Sequence, residues 1–376
     1  MSQGQASQDH GSQDHGSQDH GRQNRAAGAL YGLAVGDALG MPTESLSRPE
    51  IVARYGPLLA EFQPGAPDQP LAPGLPAGTI TDDTEQALLL AELIIEGDGA
   101  VDETEFARRL LVWEEDVRAR GSLSLLGPST QRALSALLAG TPLGETGRSG
   151  TTNGAAMRIT PVGVATAAGD LDALLERVVT ASRVTHNTGV ALAGAAAVAA
   201  AVSAGVAGAG VFDAIEAAVT AAGRAAGRGY WVAAADVAAR ISWATGLTPG
   251  RPMAEVLEVV YGLVGTGLAT QESVPAAFAM LAAAPDDPWL ACRMAASAGG
   301  DCDTIAAISG AIGGACHGAT AFPEQARATV TAVNGLHLDE MAAALLAVRG
   351  PWLAGEGSAR EWSASDWPAG TRPAST

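Results

Sequence analysis

The chain has 376 residues, enough for one large domain or two ordinary ones, and its 22 basic against 40 acidic side chains give a formal net charge of −18. Every basic residue is arginine, which excludes a Schiff-base lysine, a phosphate-loop lysine and a lysine general base, and so acidic a surface argues against a nucleic-acid backbone as the main partner. Hydrophobic residues make up 47% of the chain but aromatics only 4%, so a large core must be filled with small side chains, which brings backbones close together and suits helices better than sheets.

The first 21 residues are polar, with Ala6-Ser-Gln-Asp-His10 echoed by 11–15 and 16–20. They lack the apolar stretch of a signal peptide, and 1–22 reads as a disordered, solvated tail. Gly28, Gly32, Gly36 and Gly40 then recur every four residues, which leaves one helix face as bare backbone against which a second helix packs closely. Residues 63–78 hold Pro64, Pro67, Pro70, Pro73 and Pro76, cannot be a helix interior, and read as a surface loop delivering the chain to Thr81. Apolar stripes at three- and four-residue spacing predict helices over 84–96, 106–117, 131–138, 171–182, 214–226, 231–243, 253–264 and 338–348. Residues 190–212 carry no charge over a length that could cross a bilayer, but they are mostly Ala and Gly, include Ser203 and lack a flanking basic cluster; a buried small-residue helix is the better reading.

No run of alternating residues requires a strand. The stretch 353–376 reads as a loose C-terminal tail, although Trp352, Trp362 and Trp367 could pack back on the domain. No linker divides 23–352, so the expectation is a single all-α domain, a multi-helix bundle. Cys292, Cys302 and Cys316 are odd in number and form no CxxC pair, which points to a reducing compartment, the cytoplasm.

Two clusters carry chemistry. Thr81-Asp82-Asp83-Thr84-Glu85-Gln86 opens one helix, and Gly299-Gly300-Asp301-Cys302-Asp303-Thr304 opens another that is apolar and small on every side. Capping explains one acid in each, not two. A helix as apolar as the second belongs in the core, and buried carboxylates are costly unless paired or bound to a cation. If the clusters converge, their oxygen-only ligands suit hard cations such as Mg²⁺ or Mn²⁺; if they do not, they are two separately capped helices. Glu44, after Pro42, is one of the few residues able to serve as general base in a chain without lysine. The loop from Ser149 to Arg158 presents free N–H groups suited to phosphate, and Thr185-His186-Asn187 adds a lone histidine.

The set GLAVGDALGMPTE, TDDTEQALLLAE, SGTTNGAAMR, VTHNT and GGDCDTIAAISGAIGGACHG resembles the ADP-ribosylglycohydrolase family, in the family's order and over about 25–323. The resemblance implies an all-α orthogonal bundle with two divalent cations, Mg²⁺ or Mn²⁺, that cleaves the ribose C1″ bond of an ADP-ribosylated protein or a small-molecule ADP-ribose conjugate. Carried over, it makes Thr81, Asp82, Asp83, Asp301, Asp303 and Thr304 metal ligands, Glu44 the catalytic glutamate beside them, and Ser149, Gly150, Thr151, Asn153 and Gly154 the diphosphate loop, with His186 contacting the ADP-ribose. Thr151 and Thr152 stand where the family often has an aromatic residue or Gly. A monomer is expected, with no membrane partner and with nucleic acid only as an ADP-ribosylated substrate. A hydrolase of a free ribosyl metabolite such as O-acetyl-ADP-ribose, and a non-catalytic relative that keeps the fold, remain open.

Overall fold

The computed structural model describes residues 6–120 and 127–349, with side chains from Asp19 onward. The proposed tail 353–376 and Trp352 lie outside the described residues. Among those described, the architecture is all-α, with eighteen α-helices and two isolated bridges, Thr152 with Ala269 and Thr188 with Tyr230, in place of any strand.

The most extensive helix–helix contact joins the first helix, Ala6–Gly40, to the helix Cys302–His317. The four-residue glycine period explains how close they come. A Cβ placed on Gly28, Gly32 or Gly36 would fall 2.3, 1.9 or 2.1 Å from the carbonyl oxygen of Gly314, Gly310 or Ala306, and one on Gly40 would fall 2.4 Å from the Cα of Asp303. Gly310 and Gly314 return the same contact to the carbonyls of Gly32 and Gly28, each at 1.9 Å. The two backbones thus touch along four turns, and dispersion between them replaces side-chain interdigitation.

Around this seam pack Pro288–Ala296, Thr270–Ala283 and Gly189–Val206, with Asp82–Glu96 and Leu338–Ala347 on the other side. The uncharged Gly189–Val206 helix is long and apolar enough to cross a membrane, but all its residues except Ala204 are buried inside the fold, as a core helix requires.

Residues 6–22 continue the Ala6–Gly40 helix. Once the half from Ala26 onward is anchored, each further residue adds a hydrogen bond without a new nucleus, and no proline interrupts the repeat. One expectation, the helix over 231–243, needs correction. The stripe begins as a helix only at Val237, where Asp236 accepts from the Ala239 N–H at 2.7 Å. Upstream, Tyr230 is held extended, accepting from Gly189 N and donating to the Asn187 carbonyl, which spends the backbone groups a longer helix would need.

The seam gives a paired prediction. Gly32→Ala is expected to destabilise the protein by about 1–3 kcal/mol, as overpacking does, because the added methyl meets backbone that cannot give way. Gly223→Ala, in the helix Val211–Ala225 with open space around it, is expected to stabilise by about 0.5–1 kcal/mol. Urea unfolding of both variants beside the parent checks the pair.

Candidate metal centre and ligand loop

Asp37 lies on the first helix, turned away from its glycine face, and is fully buried. Its carboxylate accepts from Thr81 N at 3.0 Å, Thr81 Oγ1 at 2.8 Å, Thr84 N at 3.1 Å and Thr84 Oγ1 at 2.5 Å. Thr81 occupies the N-cap of Asp82–Glu96 without making a side-chain cap of its own. The cap comes from a different helix, and it frees both acids of the Thr-Asp-Asp sequence for other work.

Asp83 and Asp303 come together across Thr81 and Thr304. Thr81 Oγ1 lies 3.5 Å from Asp83 Oδ2 and from Asp303 Oδ2, and Thr304 Oγ1 donates to Asp83 Oδ2 at 3.3 Å. On the other side of Asp303, carboxylate oxygens of Glu44, Asp301 and Asp303 lie within 4.8 Å of one another, all three residues buried. Glu44 reaches this place through a clamp. Ser45, at φ 61°, donates its N–H to the Gly300 carbonyl at 2.7 Å, while Gly300 N donates to the Leu46 carbonyl at 2.9 Å. Gly300 is itself left-handed at φ 82°, and a Cβ there would lie 2.3 Å from the Thr266 carbonyl oxygen. From the proline-rich segment, buried Gln69 donates to the Met41 carbonyl at 3.3 Å and the Glu44 carbonyl at 3.1 Å. Asp82 is half-buried, with Gln86 Nε2 at 3.4 Å from Oδ2.

So much negative charge away from water shifts every acid upward. Burial raises Asp37 and Asp301 to about 6, against hydrogen bonds from the two threonines and from Asn153 respectively that pull them down. Glu44, Asp82, Asp83 and Asp303 stand well above the ordinary carboxylate range, first from burial and then from their neighbours' charges. Glu44 Oε2 and Asp83 Oδ1 are buried with no hydrogen-bond partner. Orphaned carboxylate oxygens facing others of their kind, with threonine hydroxyls beside them, are a donor set that fits a hard divalent cation.

The loop lies against this centre, but its residues divide. Asn153 turns inward: its Nδ2 donates to Asp301 Oδ2 and, at 2.9 Å, to Ser273 Oγ. Ser149 is exposed, and Gly150 and Gly154 are buried. The Thr151 carbonyl is taken by Thr270 N at 3.2 Å and Thr270 Oγ1 at 2.9 Å. His186 is fully buried beneath the loop, with Nδ1 2.7 Å from Thr185 Oγ1 and Nε2 3.0 Å from Thr152 Oγ1. A Cβ on Gly154 would lie 2.8 Å from its ring. The histidine expected to touch a ligand therefore spends both nitrogens on threonines. Arg158, also fully buried, donates Nη1 to Gln86 Oε1 at 3.0 Å and Nη2 to Thr185 Oγ1 at 2.6 Å and lies over the Phe106 ring. Among the described residues it makes no ion pair, and burial lowers it to about 10.

Sequence reasoning brought together Glu44, the four aspartates, Thr81 and Thr304, but missed Asp37, Gln69, Gln86 and Arg158 as parts of the site. The signal for Asp37 was available: a lone charge in the otherwise uncharged stretch 26–43.

The raised acids give a pH dependence. Unfolded carboxylates titrate near pH 4, so between there and the folded values the native state holds more protons than the unfolded one, and stability falls as pH rises. With divalent ions chelated, the melting temperature is expected to be higher at about pH 5 than at about pH 8. With ions present the slope should flatten or reverse, because bound cations favour the ionised acids. Thermal melts at both pH values, with and without EDTA, check this; equal slopes in both conditions would remove the cation from the account.

An uncharacterized protein of Escherichia coli (strain K12), YegU, is 36% identical over 326 residues, 86% of this chain and 97% of its own length. The ADP-ribosyl-[dinitrogen reductase] glycohydrolase of Rhodospirillum rubrum is 32% identical over 165 residues, 44% of this chain and 52% of its own. Among solved structures, an ADP-ribosylglycohydrolase-related protein complex superposes with a TM-score of 0.61 at 29% identity, covering 87% of this chain and 97% of that one. The sequence profile named ADP-ribosylglycohydrolase matches residues 18–354, from the polar end of the first helix past the last described residue, and with both acid clusters inside that span the chain belongs to the ADP-ribosylglycohydrolase family.

Proposed function

We propose that the protein is a divalent-metal-dependent hydrolase that cleaves the ribose C1″ glycosidic bond of an ADP-ribosylated substrate and releases ADP-ribose. The observation that carries this reading is the buried meeting of Glu44, Asp301 and Asp303, with Glu44 Oε2 and Asp83 Oδ1 unpartnered. Asp82, Asp83, Asp301 and Asp303, with the hydroxyls of Thr81 and Thr304, would hold two ions, Mg²⁺ or Mn²⁺. Such ions supply polarisation of a water and a grip on vicinal ribose hydroxyls.

The chain's own residues do the rest. Bond cleavage at C1″ develops oxocarbenium character on the ribose, and the surrounding carboxylates provide a negative field that favours it. Glu44 orients the attacking water and takes its proton on Oε2. Asp37 and Gln69 hold the acids and Glu44 in register without touching the substrate. The diphosphate rests on the loop 149–154, the half of the site free of carboxylates apart from Asp301 at its inner edge, which is how so acidic a protein accepts an acidic ligand. An ADP-ribosylated protein is the substrate class we favour, by likeness to the Rhodospirillum rubrum relative, a glycohydrolase of ADP-ribosyl-[dinitrogen reductase].

Two measurements test the reading. Asp303→Asn keeps the side chain's shape and its ability to sit at a helix start, so capping alone predicts a near-neutral change, whereas ligation predicts loss of activity and weaker metal binding in a folded protein; calorimetric Mn²⁺ titration beside turnover of ADP-ribosyl-arginine decides. Glu44→Gln should lower kcat by about 10²–10⁴ while leaving metal content and ADP-ribose affinity near those of the parent. Single-turnover cleavage at the parent's rate in Glu44→Gln would take the proton-transfer role away from this residue.

A further inference from the structure

Arg158 is fully buried, makes no ion pair among the described residues, and has an Nε that is buried without a hydrogen-bond partner. A charge so placed is costly, and an apolar side chain of similar volume would serve packing better. Its presence asks for a reason beyond stability. Three contacts hold the guanidinium in one orientation. The Phe106 ring centroid lies 5.2 Å from its carbon, Thr185 Oγ1 accepts from Nη2 at 2.6 Å, and Gln86 Oε1 accepts from Nη1 at 3.0 Å. The residue ends the short helix Gly154–Met157, just after the ligand loop, so it reaches Gln86 from a different segment of the chain. Burial pulls its pKa down, and Asp82 is the acid whose charge pulls it up.

The contact with Gln86 sets a polarity. Arginine carries donors only, so the amide oxygen of the fully buried Gln86 must face Arg158 and its NH₂ group must face the other way. There Nε2 stands 3.4 Å from Asp82 Oδ2. Asp82 and Gln86 are four residues apart on the helix Asp82–Glu96, where such pairs lie one above the other on the same face. Without the guanidinium the amide is free to turn end for end, and its oxygen would then repel the carboxylate that its NH₂ group now holds.

We infer that Arg158 is a positioning residue of the metal centre: by fixing the sense of the Gln86 amide, it orients the Asp82 carboxylate as a ligand for a divalent cation. The inference deepens the function proposed above and rests on it. Charge alone gives the opposite expectation, since a guanidinium near the site repels a cation and its removal would tighten binding. The sign of the change therefore separates orientation from charge.

The test is calorimetric titration of Mn²⁺ into the full-length, metal-free parent, Gln86→Met, Arg158→Met and the double variant, each first shown to be folded by circular dichroism. Each single variant should weaken Mn²⁺ binding by about ten- to a hundredfold, the usual loss when the outer partner of a metal ligand is removed. The double variant should be within about threefold of the weaker single, because both changes act on Asp82 by one route. If Arg158→Met does not fold, Arg158→Lys takes its place in the cycle, since it keeps the charge and loses the planar fork. Parent-like affinity in Gln86→Met, tighter binding in Arg158→Met, or losses that multiply in the double variant overturn this inference alone. Failure of the parent to bind Mn²⁺ overturns the proposed function, and this inference with it.

Discussion

Backbone contact between two helices far apart in sequence is the constraint from which the site follows. Because Gly28, Gly32 and Gly36 meet the carbonyls of the Cys302–His317 helix, Gly40 lands on the Cα of Asp303. From there four residues of chain suffice to bring Glu44 beside Asp301 and Asp303. The same placement sets Asp37 one residue past Gly36, where it meets the start of Asp82–Glu96 and captures Thr81 and Thr84. A seam with larger side chains would separate the helices by several ångströms, and none of these contacts would survive the change.

Concentrating charge is the cost of this geometry. Six acids, Asp37, Glu44, Asp82, Asp83, Asp301 and Asp303, share a site in a chain without lysine, and the fully buried cation beside it, Arg158, makes no ion pair with any of them. Burial and repulsion together hold these acids well away from their ordinary titration, as the shared upward shift records. Hydrogen bonds from Thr81, Thr84, Asn153 and Thr304 offset part of it. What they leave uncovered, Glu44 Oε2 and Asp83 Oδ1, is what a cation would complete.

The sequence was legible where local chemistry was concentrated. Paired acids at two helix starts, an apolar helix behind one of them and a strict glycine period are all local patterns, and they suffice for the all-α class; they left the meeting of the two clusters open, and the family resemblance implied it. What escaped was relational. Gln69 sits in a proline-rich stretch that looks like any surface loop, and only the fold reveals that its amide holds the Glu44 carbonyl. The family resemblance implies a ligand contact for His186, and its residue type alone does not show that Thr152 and Thr185 take both ring nitrogens. The stripe at 231–243 had the right period for a helix, but the bridge between Thr188 and Tyr230 had already claimed the backbone. The polar repeat lacked an apolar face, yet its continuity with an anchored helix counts for more than its composition.

The seam also bears on the order in which the molecule assembles. Its halves are separated by almost the whole described chain, so the first helix must wait through the folding of everything between before its bare glycine face is covered. Contacts of such long sequence separation slow folding, since loop closure must precede the gain from docking. Until Cys302–His317 docks, Glu44 and Asp83 have no Asp301 or Asp303 to face, and a chain interrupted short of that helix lacks two of the six acids and the crowding they bring. The arrangement makes the charged centre a late event, formed only when the rest of the core is ready to enclose it.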